Sequence, residues 1–173
     1  MLISLIIFLF AVLVLLPVAL AWKSFAPWVP TRNRDIDRIF ALANLKKGQV
    51  FYDLGSGDGK MLIYASQKFG ASAVGIEAAF PLVIVSRLRQ FFGQNKGIKI
   101  KWKSLFRQNL AEADVVYIFG TQGTLDQSFQ AKLTAELKPG AKVISYAFSI
   151  GDLKPALVSR PSDKHLPIYV YEF

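Results

Sequence analysis

Phe51-Tyr52-Asp53-Leu54-Gly55-Ser56-Gly57-Asp58-Gly59 runs from the end of a short apolar stretch, Val50–Leu54, to the start of a helix-patterned one, Gly59–Phe69. An apolar run of that length closed by glycine reads as a buried strand. Three glycines at alternate positions let the backbone turn sharply and approach a ligand closely. A helix opening at the turn adds free N–H groups and a partial positive charge, which suit a carboxylate. Asp53 precedes the turn and suits an ammonium group, directly or through water. A ligand with both ends is an amino acid.

Working outward, Ala73–Ile76 is a second apolar run, and Glu77 ends it 18 residues beyond Gly59. In open α/β folds a carboxylate at that place accepts hydrogen bonds from ribose hydroxyls. S-adenosylmethionine offers both an amino-acid end and a ribose. Ser104-Leu105-Phe106, after a later strand, would close over its adenine, with Ser104 hydrogen-bonding and Leu105 or Phe106 packing on its face. Asp58 reads as a helix cap. The rival ligand is a nicotinamide dinucleotide, whose fingerprint is Gly-x-Gly-x-x-Gly. Here the third glycine comes one residue early and Lys60 stands in its place. Asp53 would also add negative charge beside a pyrophosphate.

The rest of the chain alternates strands and helices. A helix starts near Thr31 or Asn33, either of which would cap it. It presents Ile36, Ile39, Phe40 and Ala43 on one face and closes at Lys46-Lys47-Gly48. Pro81–Phe92 and Leu125–Leu137 read as helices. Ile98–Lys103, Val115–Phe119, Val143–Phe148 and Ile168–Phe173 read as strands. This rhythm predicts a mainly parallel sheet of six or seven strands covered by helices on both faces. Lys99, Lys101 and Lys103 alternate with Ile98, Ile100 and Trp102, which suits an edge strand. The short region after Gly151 leaves room for a sheet one strand short of seven.

Ahead of this domain, Leu2–Trp22 is apolar apart from Ser4 and carries no charge. About 20 such residues span a bilayer as a helix. Residues 1–22 are therefore expected to be a transmembrane anchor, 23–34 a linker and 35–173 the folded domain. Ala19-Leu20-Ala21 resembles a signal-peptide cleavage site, but no Lys or Arg precedes the apolar run. Lys23, Arg32, Arg34 and Arg38 follow it, which places the domain on the cytoplasmic side and sets basic groups near anionic headgroups.

Composition narrows the chemistry. The 173 residues contain no cysteine, which excludes disulfides and thiolate sites, and one histidine, His165, which argues against a multi-histidine metal site. The net charge of +9 suits anionic partners: nucleic acid, acidic protein or anionic lipid. A well-solvated basic surface accounts for it equally.

Asp53-Leu54-Gly55-Ser56-Gly57-Asp58-Gly59 with Glu77 resembles the first motif and acidic loop of class I methyltransferases, a Rossmann-like fold. With Pro27-Trp28-Val29-Pro30-Thr31 and Val116-Tyr117-Ile118-Phe119-Gly120, the chain is similar to one narrower family. These are the small membrane-anchored protein-lysine methyltransferases of mitochondria and their prokaryotic relatives. The resemblance implies that Thr31 lies over the methionine end of S-adenosylmethionine, that Asp53, Gly55, Ser56 and Gly57 form its floor, and that Glu77 holds the ribose. It also implies a protein substrate, since characterised members methylate lysines of membrane transport and ATP synthase proteins. Ser104 stands where many class I enzymes carry an acid, and Lys60-Met61 where this family often has an arginine and a β-branched residue.

Transfer to a lysine amine needs an apolar acceptor side, for which Phe119, Gly120, Thr121 and Trp28 are the candidates. No residue stands out as a general base. Amino-group nucleic-acid methyltransferases commonly carry an Asn/Asp-Pro-Pro-aromatic segment where this chain reads Phe119-Gly120-Thr121-Gln122, which places nucleic acid below protein as the substrate. A binding module that kept the fold without turnover is the remaining alternative.

Overall fold

The computed structural model describes residues 29–173. The expected anchor and Trp28 lie outside the described residues, among which no helix is long and apolar enough to cross a membrane. Seven strands form one sheet: β1 (Val50–Leu54), β2 (Ser72–Glu77), β3 (Ile98–Trp102), β4 (Val115–Ile118), β5 (Lys142–Tyr146), β6 (Leu157–Ser159) and β7 (Ile168–Glu172). Their order is β3-β2-β1-β4-β5-β7-β6. The first five strands run parallel, and β7 runs antiparallel to β5 on one side and to β6 on the other. The sheet is therefore complete. The strand absent from the sequence reading is β6, three residues with no apolar alternation and largely exposed side chains.

Among the described residues four helices cover the sheet: α1 (Asn33–Ala43), α2 (Lys60–Phe69), α3 (Phe80–Phe92) and α4 (Gln127–Glu136), with a 3-10 turn at Leu105–Arg107. Strands buried on both faces look uniformly apolar in sequence, but their alternate residues feed two cores. Phe51, Tyr117 and Tyr146 join Phe40 of α1, Leu62 of α2 and Val83 of α3 on one face. Tyr52, Leu54, Val116 and Ile118 join Phe129 and Leu133 of α4 on the other. As expected, β3 is an edge strand; Lys99 and Lys101 point to solvent.

The ends of α1 differ from expectation. Arg32 occupies the N-cap without a side-chain cap, because Thr31 and Asn33 spend their side chains elsewhere. Asn44, in the left-handed region, ends the helix two residues before Lys46. Arg38 is also unavailable to a lipid headgroup. It donates to Asp35 Oδ1 (2.9 Å), Ser159 O (2.7 Å) and Leu166 O (2.7 Å). Tyr146 donates to the other oxygen of the fully buried Asp35 at 2.6 Å. This clasp fastens α1 to the last three strands. Burial pushes the Asp35 carboxyl up, but Tyr146 and Arg38 outweigh it and hold the pKa below the ordinary carboxylate value.

Candidate active site

The strand order reverses between β1 and β4, so the loops after them diverge and leave a crevice at their carboxyl ends. A cavity of about 580 Å³ lies there. It is lined by the loop after β1, the end of β2, the first turn of α3, the segment after β3, the end of β4 and residues 29–31. These elements meet only through the fold.

The glycine loop is the floor. Gly55, Gly57 and Gly59 all have positive φ, from 53 to 88°. A Cβ at Gly55 would meet no protein atom within 4 Å and would stand in open space. A Cβ at Gly59 would come 2.2 Å from Ser86 Oγ, so glycine there lets α3 approach the start of α2. Most of the loop amides are spent internally. Gly55 and Ser56 donate to Ile76 O (2.8 and 3.1 Å), Gly59 to Ser56 O (2.9 Å) and Gly57 to Glu77 Oε2 (2.8 Å). The loop therefore offers a ligand close approach more than a nest of free N–H groups. The side chain of Ser56 lies against Gly75, where a Cβ would come 2.7 Å from its hydroxyl.

Three carboxylates line the cavity, each with different surroundings. Glu77 is tied on both sides, to Gly57 N and to Ala79 N at 2.8 Å. Each oxygen keeps acceptor capacity for a further donor. Asp53 is buried and has no hydrogen bond or ion pair among the described residues. Burial first, then the charges of Glu77 and Asp58, push its pKa well above the ordinary value. Such a carboxyl lacks a cation. Asp58 is committed elsewhere: the N-cap of α2 is Gly59 and not Asp58 as expected, and Asp58, one residue before it, accepts from Lys60 N (3.2 Å) and pairs with Arg89 at 2.5 Å.

The upper wall holds residues that sequence reasoning missed. Tyr117 lies beside Asp53 in register on β4, and its hydroxyl bonds Thr31 Oγ1 at 2.7 Å. Burial pushes the Tyr117 phenol up against the weaker opposing effect of the Thr31 hydrogen bond, which keeps it protonated. Lys60 Nζ donates to Thr31 O (2.5 Å) and Asn33 Oδ1 (3.0 Å). Lys60 and Lys103 are the cations of the lining. Phe119 and Gly120 stand at the far side, Phe119 edge-on to Tyr146 at 4.8 Å between centroids. Thr121 is not in the lining; its hydroxyl meets that of Thr124 at 3.2 Å, and Thr124 takes the place in the wall. Ser104, Leu105 and Phe106 border the β3 side. His165 bonds Ser162 on the β6–β7 connection and is not part of the lining.

Residues 53–157 match the profile of the ANTKMT methyltransferase domain. The chain belongs to this family. As a member it is a class I, S-adenosylmethionine-dependent methyltransferase. A protein-lysine N-methyltransferase from Saccharolobus islandicus is 29% identical over 88% of this chain and 95% of its own length. The adenine nucleotide translocase lysine N-methyltransferase of Mus musculus is 31% identical over 80% of the chain, which spans only 60% of that protein. Among solved structures, an RNA methyltransferase from Salinibacter ruber in complex with S-adenosyl-L-homocysteine superimposes with a TM-score of 0.77. It is 31% identical, over 83% of this chain and 93% of that one.

Proposed function

We propose that this methyltransferase acts on the side-chain amine of protein lysines and works at a membrane, anchored by residues 1–22 with its domain on the cytoplasmic side. The observation that carries the site reading is Asp53, a buried carboxyl with no cation paired to it among the described residues, beside a glycine floor. It would hold the ammonium group of S-adenosylmethionine. Lys60 would face the cofactor's carboxylate, Glu77 its ribose, and Ser104 and Leu105 its adenine. Bound there, the cofactor supplies an electrophilic methyl carbon on a sulfonium.

The chain's own contribution is alignment and desolvation. An attacking lysine must be neutral, which at a reference pKa of about 10.4 costs roughly 4.6 kcal/mol at pH 7. Phe119, Gly120 and Thr124 give the acceptor an apolar wall that disfavours the ammonium form. Tyr117, protonated and fixed by Thr31, presents a hydroxyl and no base. The amine's proton would leave to water before attack, and alignment with the methyl carbon does the rest. The Saccharolobus and mouse relatives, both named for lysine, support this acceptor.

RNA is the second reading, favoured by the Salinibacter relative, which is named for RNA, and by the net charge of +9. The test is transfer of a radiolabelled methyl group to matched membrane-protein and RNA fractions, with hydrolysis of the products. Label recovered as methyl-lysine supports the proposal; label only in nucleotides overturns the acceptor. Calorimetry with S-adenosylmethionine and NADH tests the site beforehand. Binding of NADH alone, or of neither, would sink the cofactor assignment.

A further inference from the structure

Helix α3 turns its apolar residues outward. Among its 13 positions only Val83 and Ser86 are buried. Ile84, Val85, Leu88, Phe91 and Phe92 are exposed, the last two at 75% and 78%. Ile84, Leu88 and Phe91 lie along one face by helical spacing, with Val85 and Phe92 beside them. Phe80, at the start of the helix, packs on exposed Trp102 with 4.8 Å between ring centroids. The inward side takes a serine because it rests on Gly59. The outward side has no packing partner among the described residues, and a contiguous apolar patch of this kind marks an interaction surface.

The patch has a basic frame. Arg87 interrupts it and Lys96 follows the helix, both exposed, while Arg89 on the same helix is already paired with Asp58. Aromatic rings set among cations suit the interface of an anionic bilayer, where rings settle at the headgroups and Lys or Arg meets lipid phosphate. A second copy of the chain would bring the same positive charges against these, which disfavours pairing. The direction of the chain agrees. Val29, where the described residues begin, lines the same cavity as Pro81 and Leu82 in the first turn of α3. The described chain thus enters the fold at the end of the molecule where α3 begins.

We propose that the outward face of α3, with Trp102, lies on an anionic lipid bilayer and sets the orientation of the cavity above it. This contact rests on the reading of the chain as a membrane-associated enzyme but is separate from the anchor. The absence of cysteine makes a clean test. Phe91→Cys in the full chain takes an environment-sensitive fluorophore on α3. Asp163→Cys, on the connection beside β6 at the opposite sheet edge, is the control. Each protein is reconstituted with vesicles of phosphatidylcholine and phosphatidylglycerol, floated on a gradient, then quenched by nitroxide-bearing lipid.

Co-flotation with a blue shift and loss of at least about half the emission at 91, as for a residue at the acyl boundary, with 163 unaffected, is the expected result. Co-flotation without quenching at 91 keeps the anchor and overturns the contact. A blue shift without lipid quenching means protein covers the face, whether a second copy or the N-terminal segment, and also overturns it. Failure to float overturns both.

Discussion

Asp35 and Asp53 are both buried, and their surroundings drive them in opposite directions. Asp35 has Arg38 and Tyr146, and its pKa falls below the ordinary value. Among the described residues Asp53 has neither a cation nor a hydroxyl bonded to it, and its pKa rises. A carboxylate that the fold needs arrives with its partners. One placed in a cavity without partners waits for a ligand to supply the charge. The contrast separates scaffold from site without reference to any relative.

The largest expected effect is on the scaffold side. Asp35→Ala leaves Arg38 and Tyr146 without their shared acceptor and should destabilise the protein by about 3–5 kcal/mol, as loss of a buried ionic partner does. Urea denaturation would measure it, and a loss below about 1 kcal/mol, the scale of an exposed pair, would mean that Asp35 is not the fastener described here.

Asp53→Asn tests the other half. It should weaken S-adenosylmethionine binding by about 1.5–3 kcal/mol, roughly 10- to 150-fold, the scale of a hydrogen bond to a charged group. It should also raise the melting temperature of the cofactor-free protein. A folded-state pKa above the unfolded value contributes stability below the unfolded pKa, and this is lost as pH rises through the raised value. The asparagine avoids that loss, so its advantage should grow with pH over this window. Unchanged affinity together with an unchanged melting temperature would remove Asp53 from the site.

Tyr146→Phe sharpens the comparison from the Asp35 side. One carboxylate oxygen loses its donor while Arg38 stays, for a cost of about 1–2 kcal/mol. The sign on the pH axis is opposite to that at Asp53. Stability from Asp35 is present above the unfolded pKa and lost as pH falls through the lowered folded value. Without Tyr146 that folded value rises, so the variant's acid-unfolding midpoint should move to higher pH. An acid limb superimposable on the parent's would count against the clasp.

The smallest effect belongs to Thr31→Val, which removes the hydroxyl that meets Tyr117. Stability should fall by about 1 kcal/mol. The KM for S-adenosylmethionine should rise if residues 29–31 cover the cofactor's amino-acid end, and a KM equal to the parent's would leave Thr31 a structural role only.

What was legible in the sequence follows from distance along the chain. β1, the glycine turn and α2 are consecutive, and Glu77 sits at a fixed offset, so one stretch of sequence carried half the site. Strands buried on both faces were recognisable as apolar runs. Tyr117 was not recognisable as a site residue, because a tyrosine in an apolar strand reads as core and its partner Thr31 is 86 positions away. β6 escaped because three largely exposed residues give no periodicity. The N-cap of α1 was misplaced because Thr31 and Asn33 are good caps by type, but tertiary partners claimed their side chains. Thr121 and Thr124 carry the same side chain, and only the turn between them decides which one reaches the cavity.

The reversal of strand order between β1 and β4 divides responsibility as well as space. Everything assigned to the cofactor's ribose and adenine hangs from strands on one side of that seam. Phe119, Gly120 and Thr124 hang from the other. No loop is shared between the two groups. Under the proposed assignment, a substitution after β4 alters the acceptor wall and leaves the strands and loops of the ribose and adenine half in place.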